Sequence, residues 1–474
     1  MDILPHKKQF EVTSPVVIVG GGACGLTAAL AATGQGAEVI LLERDRLCRG
    51  SSSMSLGAMC AAGTLEQRRH GVSDDAEQFH ADIARKTGGR ADPVLARLVA
   101  DASGPTLDWL NEAYDLGIVL DTAWRPAFGH TRARMHVTPG GTGQDLMDRL
   151  LASCSRAGVH IVNDAHVTDV HAETDSRVTG VRFVRPDGSP DDVGCGALIL
   201  ATCGFGGNRR MIAEHIPGMR DARYFGWEEN QGEGIEWGVA LGAGTGDMDA
   251  YQGLGLLAEP QGIDVNPRLL IEGGIQVDAL GLRFSDELGD VSGQGARVIS
   301  RPGGIAWVIY DQRIHETCSG LPQYQALAQL GAVRSGATVA ALAAVTGLPA
   351  DALGTTFGEV DSCCRTGQPD DFGRRFSTPA LAPPYHALKV TGALFHTQGG
   401  LSVDHQARVV RPDGAPLPNL LAGGGAARSI SGPGPSGYLP GAGLCMAITL
   451  GAVAGRTAAR LQNGDHPSPS FSRA

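Results

Sequence analysis

The sequence predicts an α/β protein: a Rossmann-like dinucleotide domain assembled from two separated stretches of chain, with an α+β cap inserted between them. Three observations carry this. A fully apolar run at residues 16–19 leads directly into Gly20-x-Gly22-x-x-Gly25. A second apolar run at 197–200 leads into Ala201-Thr202-Cys203-Gly204. Residues 246–390 then change in texture, mixing short strand-like and helical runs, before a glycine-rich stretch at 394–455 returns the chain to the first domain.

The first unit is complete in itself. Residues 16–19 have the unbroken apolar character of a strand buried on both faces. Residues 23–33, rich in Ala and Leu, read as a helix that Gly34 and Gly36 end. Residues 39–42 form a second buried strand with Glu43 at its carboxyl end. These are the parts of a βαβ dinucleotide site. The glycines permit a tight turn and close approach to a pyrophosphate, and the helix N-terminus supplies N–H donors and a positive dipole end. Glu43 is expected to accept hydrogen bonds from the ribose hydroxyls of an adenosine.

Residues 50–58 pack Ser51, Ser52, Ser53 and Ser55 among Gly50 and Gly57. A plain loop would suit this composition. So close behind a dinucleotide strand, the stretch is expected to offer hydroxyl and N–H donors to a second phosphate and a flavin ring. Residues 75–87 and 92–116 have helical spacing, with Leu95, Leu98, Val99, Leu107, Leu110 and Ala113 on one face. Residues 124–141 hold two histidines and three arginines, and read equally as a solvated loop or one facing substrate or cofactor. A helix at 146–157 precedes strands at 159–162, 167–170 and 181–184, the last ending in a Pro-Asp-Gly turn.

In the inserted stretch, residues 275–277 and 306–309 read as strands, and 323–330 and 338–344 as helices. Pro379, Pro383 and Pro384 turn the chain back. The expected domains are therefore 1–245 and 391–474 for the dinucleotide unit and 246–390 for the cap. Residues after Leu461, rich in Ser, Pro and Asn, are expected to be a flexible tail. A final helix is expected to start near Gly443. Its N-terminus, pointed at a flavin pyrimidine ring, would favour the negative charge of the reduced ring.

Composition narrows the possibilities. A chain of 474 residues exceeds one simple core. Its 68 glycines are about twice the usual share, so many positions need positive φ or close approach. A net charge of −11 argues against nucleic acid and against anionic membrane surfaces. No apolar run is read as approaching the roughly 18 residues of a membrane span, and residues 1–15 lack a secretory core, so a cytoplasmic protein is expected. The ten cysteines form no C-x-x-C, which argues against zinc ribbons, thioredoxin-type redox motifs and attached haem. No metal site is expected, and the adjacent Cys363 and Cys364 are expected to be reduced thiols.

Taken in order, the glycine motif with Glu43, the serine-rich stretch, Ala201-Thr202-x-Gly204, His396-Thr397-x-Gly399-Gly400 and the glycine-rich approach to the last helix resemble a known family. It is the FAD-dependent fumarate reductase/succinate dehydrogenase flavoprotein superfamily, which includes the 3-ketosteroid dehydrogenases. The resemblance spans residues 16 to about 461. It implies FAD as cofactor, a discontinuous FAD domain, and substrate held under the cap against the isoalloxazine ring. It implies cofactor contacts from Gly20, Gly22, Gly25, Glu43 and Arg44; from Ser51, Ser52, Ser53, Ser55 and Gly57; from Val167, Ala201, Thr202, Gly204 and Glu233; and from Gly424, Gly425, Gly443 and Leu444. No histidine stands at residues 51–57, where covalently flavinylated members carry theirs, so non-covalent FAD is implied.

The departures are as informative. The fumarate reductases clamp a dicarboxylate with two histidines and two arginines, one of which donates the proton. Only His396 matches here; the other three places fall near Leu254, near Val291 and at Tyr438, and a family glutamate is Gly425. Tyr438 ahead of Pro440-Gly441-Ala442-Gly443 is instead similar to the ketosteroid dehydrogenases, in which a tyrosine hydroxyl and a glycine N–H bind a ketone. This chain has one residue more between the two. The implied reaction is desaturation of a cyclic ketone, such as a 3-ketosteroid or an oxo-cyclohexane compound. Polarisation of the ketone acidifies its α-carbon, a base takes the α-proton, hydride passes from the β-carbon to flavin N5, and an external quinone, dye or oxygen takes the electrons. Tyr438, His396 and Tyr251 are the catalytic candidates; Tyr310, in an apolar strand, reads as core. Two alternatives stand beside this: reduction of an activated C=C bond, and a flavin redox carrier or sensor with no substrate of its own.

Overall fold

A computed structural model describes residues 2–463; the expected tail lies largely outside the described residues. Among these, the larger sheet has nine strands. Its centre follows from the apolar runs. Val12–Val19 lies between Val39–Leu42 and Pro190–Leu200, parallel to both, and Pro416–Ala422 runs parallel to Pro190–Leu200 on the far side. The strands from both halves of the chain therefore end at one edge. His160–Val162 extends one side, and Val178–Val184, His166–Ala172 and Ile3–Pro5 extend the other.

Ala23–Thr33 forms the expected helix, with residues from Ala23 to Ala32 all buried. It is hydrophobic all round because it is covered all round. The C-terminal helix Ala442–Asn463 covers it. A Cβ at Gly451 or Gly455 would strike the backbone oxygen of Cys24 or Ala28, so these two helices touch main chain to main chain. This helix corrects the expectation about apolar runs: Ala442–Gln462 is long and apolar enough to cross a membrane, with a mean hydropathy of 1.4. It is a core helix here, 78% buried inside the protein.

The second sheet is organised on Tyr385–Thr397, a 13-residue strand. Tyr251–Ala258, Ile305–Asp311 and Arg334–Gly336 pair antiparallel to it, Arg223–Tyr224 pairs parallel, and Ile275–Val277 extends Ile305–Asp311. The expected helices are Pro322–Gln329 and Val339–Thr346, the latter capped by the Thr338 side chain. Two local expectations are corrected. Ala113 is exposed, because Pro93–Tyr114 has its last turn beyond the core. Gly50–Met54 is a short helix rather than a loop.

Candidate active site

The glycine turn sits where the parallel strands end. Gly20 N–H donates to the Leu42 carbonyl at 2.8 Å, and Ala201 N–H donates to the Val19 carbonyl at 2.9 Å. Gly20 has φ 105°, and any Cβ there would meet Ala201 backbone. The helix beyond has Gly22 as its N-cap, with no side-chain cap and no acidic residue in its first turn. Ser52 Oγ accepts from Ala23 N–H at 3.1 Å. Glu43 is buried and bridges the motif: Oε2 accepts from Gly21 N–H at 2.6 Å and Oε1 from Asp45 N–H at 2.9 Å. Burial raises its carboxyl pKa against the pull of those two bonds. Arg44 donates to Glu233, to the backbone and carboxylate of Glu229 at 2.9 Å each, and lies 2.8 Å from His166 Nε2.

These groups surround a cavity of about 820 Å³. Gly20, Gly22, Glu43, Arg44, Ser51, Ser52, Val167, Ala201, Thr202, Glu233, Gly424 and Gly425 all line it. The buried Thr202 Oγ1 has no hydrogen-bond partner. A helix N-terminus without a cap or an acid of its own, and glycine at the closest approach, fit an anionic dinucleotide such as FAD. Four residues expected at the cofactor lie outside the lining of both this cavity and the one beside it. A Cβ on Gly25 would strike the Gly20 carbonyl, so this glycine lets the helix pack on the turn. Ser53 faces away and donates to the Gly50 carbonyl at 3.0 Å. Gly57, at φ 70°, packs on the Thr142 backbone, and Gly204 packs on Thr397 Oγ1. Sequence reasoning missed Cys24, Trp227 and Asn230. Trp227 N–H and Asn230 Nδ2 donate to Ser51 Oγ at 3.1 and 2.8 Å. Their segment has no motif; the second sheet carries it to the site.

Ser51, Ser52, Cys203, Gly424, Gly425 and Ala447 also line a second cavity of about 1420 Å³, so the two spaces adjoin. Its walls include Trp124, Phe128, Phe225, Phe395 and Leu444, with Ser55 also on its lining. Its polar end is built by His396, Tyr438 and Gly443. The rings of His396 and Tyr438 lie 5.7 Å apart at 73°. A Cβ on Gly443 would stand 3.1 Å from His396 Nε2 and 3.9 Å from the Tyr438 hydroxyl, so both side chains converge on this glycine. Gln398 Nε2 donates to His396 Nδ1 at 2.7 Å, while Gln398 Oε1 accepts from Ser431 at 2.9 Å. A neutral imidazole that accepts the Gln398 bond at Nδ1 carries its proton on Nε2, while the Thr397 carbonyl, 3.4 Å from Nδ1, favours the other tautomer. Burial lowers the His396 pKa to about 4, so the ring is neutral near pH 7. Burial also raises the Tyr438 hydroxyl well above its ordinary value, keeping it a donor. Two neutral donors that lie side by side can hold a carbonyl oxygen and the negative charge that develops on it.

Leu254 and Val291 line the same cavity as His396 and Tyr438. Among the described residues lining it there is no lysine or arginine; the ionisable groups are Cys203, Asp264, His396 and Tyr438. Tyr251 is corrected as a catalytic candidate. Side chains alternate along its strand, so Gln252 lines the cavity, while Tyr251 is buried outside the lining and its carbonyl accepts from Ser292 Oγ at 2.8 Å. Tyr310 is core, 2.8 Å from the Tyr324 hydroxyl. The 124–141 stretch divides: Trp124 and Phe128 face the cavity, while Arg134, His130 and His136 are buried. Burial lowers both histidines to about 4.

Replacing Glu43 with Ala is expected to weaken FAD retention by about 1–3 kcal/mol, because buried N–H groups of the glycine turn lose their acceptor. A titration of apoprotein with FAD checks this; unchanged affinity would exclude Glu43 from the cofactor site.

The FAD binding domain family matches residues 15–444. A probable fumarate reductase, Ifc3, of Shewanella frigidimarina is 29% identical over 453 residues, covering 94% of this chain and 75% of the relative. The 4-oxocyclohexanecarboxylate 2-dehydrogenase of Sinomonas cyclohexanicum is 26% identical, covering 94% and 93%. Among solved structures, an open flavocytochrome c3 fumarate reductase superposes with a TM-score of 0.78 at 27% identity, covering 96% of this chain and 79% of that one. The 3-ketosteroid-Δ4-(5α)-dehydrogenase of Rhodococcus jostii RHA1 gives 0.76 at 24%, covering 96% and 100%.

Proposed function

This chain belongs to the FAD binding domain family and is an FAD-dependent oxidoreductase of CH–CH groups, and on that premise we propose that it desaturates a cyclic ketone. The observation that supports this most is the charge of the larger cavity: neutral donors at His396 and Tyr438, aromatic walls and no lining cation. A dicarboxylate would lose its hydration there without gaining a positive partner. A ketone needs only donors and apolar walls.

The turn at Gly20 and Gly22 and the following helix N-terminus would hold the pyrophosphate, Glu43 a ribose, and Gly424, Gly425 and Leu444 the ring system. FAD, when bound, supplies a two-electron acceptor for the hydrogen leaving the β-carbon. Tyr438 and His396 Nε2–H bind the ketone oxygen, and their bonds strengthen as charge builds on it. The apolar walls exclude water and orient the rest of the substrate. Residues 1–245 and 391–474 make up the FAD unit in this reading, and 246–390 the cap. The electron acceptor is external: a quinone, a dye or oxygen. All ten cysteines are free thiols, which supports a cytoplasmic setting.

The reductases among the relatives favour a second reading, saturation of an activated C=C bond in the same cavity. Product analysis with a dye acceptor separates the directions. The α,β-unsaturated ketone is expected from its saturated parent; no enone from any cyclic ketone, with saturation of the enone instead, would select the reductase. The bound flavin is expected to leave the protein fully on acid precipitation, since no histidine anchors it; yellow precipitate would show a covalent bond.

A further inference from the structure

The proposed reaction needs a base for the α-proton, and this inference rests on that reading. Of the ionisable groups lining the larger cavity, Tyr438 and His396 hold the ketone oxygen as donors. Cys203 lies at the junction with the cofactor cavity, and burial raises its thiol pKa. We propose that Asp264, the remaining group, is the catalytic base that removes the α-proton of the substrate.

Asp264 is fixed by main-chain pairing. It bridges antiparallel to Leu257, Val265 N–H donates to the Leu256 carbonyl at 2.7 Å, and Ala258 N–H donates to the Ile263 carbonyl at 2.8 Å. This anchors it to the strand whose Gln252 and Leu254 line the cavity. Asp264 is half-buried, and its carboxylate is unlike the buried ones in the molecule. Asp82 is met by Arg134 and Arg85, Asp290 by Arg297 and Ser436, and Asp311 caps the helix Gln312–Cys318. Among the described residues, no salt bridge and no side-chain hydrogen bond reaches Asp264; only its own N–H favours the charged form. A half-buried carboxylate at the wall of an apolar cavity, with no side-chain partner among the described residues, adds no ion pair to the fold, as expected of a group kept for chemistry. Burial raises its pKa to about 6, so it is ionised near neutral pH yet basic enough to take a proton.

The step balances. The α-C–H bond breaks and its proton forms an O–H bond on Asp264. The electron pair becomes the enolate C=C bond, with charge on the oxygen held by Tyr438 and His396. The two electrons of the oxidation leave with the β-hydrogen to the flavin, and Asp264 later returns its proton to water.

Proton removal can be read without oxidation. Holoenzyme with its flavin reduced beforehand is mixed anaerobically in D₂O with cyclohexanone or a saturated 3-ketosteroid, and α-deuterium incorporation is followed by NMR. Wild type is expected to exchange, at a rate that rises with pH through about 6 and then levels, because the base must be ionised. Asp264→Asn is expected to exchange about 10²–10⁴-fold more slowly and to lose that limb, with FAD content and Tm near wild type; Asp264→Glu is expected to recover part of the rate. If ketones reduce the wild-type flavin and Asp264→Asn exchanges within about threefold of wild type, the base assignment alone is overturned. If wild type neither exchanges nor is reduced by any ketone, the ketone reading falls and this assignment with it.

Discussion

Tyr438→Phe is expected to slow flavin reduction by a saturating cyclic ketone about 10²–10³-fold, the usual effect of losing one oxyanion donor. The ring stays, so packing against His396 and the Gly443 helix entry is kept. Only the hydroxyl goes, and its bond matters more to the enolate-like transition state than to the bound ketone. The loss should therefore fall on the limiting rate, with little change in ketone affinity. Stopped-flow reduction of wild type and variant at equal FAD content measures it. A variant within about threefold of wild type would leave Tyr438 as packing and remove the main support for ketone polarisation.

The second large effect is on stability. Arg134 is among the largest fully buried side chains, donating to Asp74 at 2.7 and 2.8 Å and to Asp82 at 2.5 Å. Arg134→Met would take the shared buried cation from two carboxylates, leaving Asp82 with Arg85 and Thr131 and Asp74 with Gln67, at a cost of about 3–5 kcal/mol. Burial tends to raise the Asp82 pKa, but bonds from Arg134, Thr131 and Arg85 outweigh it and lower the value to about 2. A lowered carboxylate pKa adds stability above its unfolded value, and that stability is lost as pH falls through about 2. Without Arg134 the loss should begin at higher pH. Denaturant unfolding at neutral pH and acid unfolding of both proteins check this; a change under about 1 kcal/mol would mean that the buried ion pairs do not support the fold.

The same residues show what sequence could and could not convey. The strand ending at Val19, the helix Ala23–Thr33 and the acidic Glu43 are set by local rules: continuous apolar runs, glycine geometry and short spacing. They stood where expected. The clamp positions also met in one cavity, since Leu254, Val291, His396 and Tyr438 were matched through motif order. The misses depend on partners distant in sequence. Arg134 stood in a stretch that read equally as a solvated loop or one facing substrate or cofactor, because its partners Asp74 and Asp82 lie about fifty to sixty residues upstream. Tyr251 and Gln252 are neighbours, and only the strand's orientation decides which lines the cavity. Gly25, Gly57 and Gly204, expected at the cofactor, stand outside the cavity lining, where each packs closely on neighbouring atoms. Asp264 has no motif around it; only its place in a cavity without cations distinguishes it.

The central claim, a ketone rather than a dicarboxylate under the cap, is tested most directly by one pair of anaerobic half-reactions followed through flavin absorbance. Oxidised holoenzyme is mixed with saturated cyclic ketones, and reduced holoenzyme is mixed with fumarate. At least one ketone is expected to bleach the flavin and fumarate to leave it reduced, because among the described residues no lysine or arginine lines the larger cavity. Rapid reoxidation by fumarate, with no bleaching by any ketone, would contradict that claim.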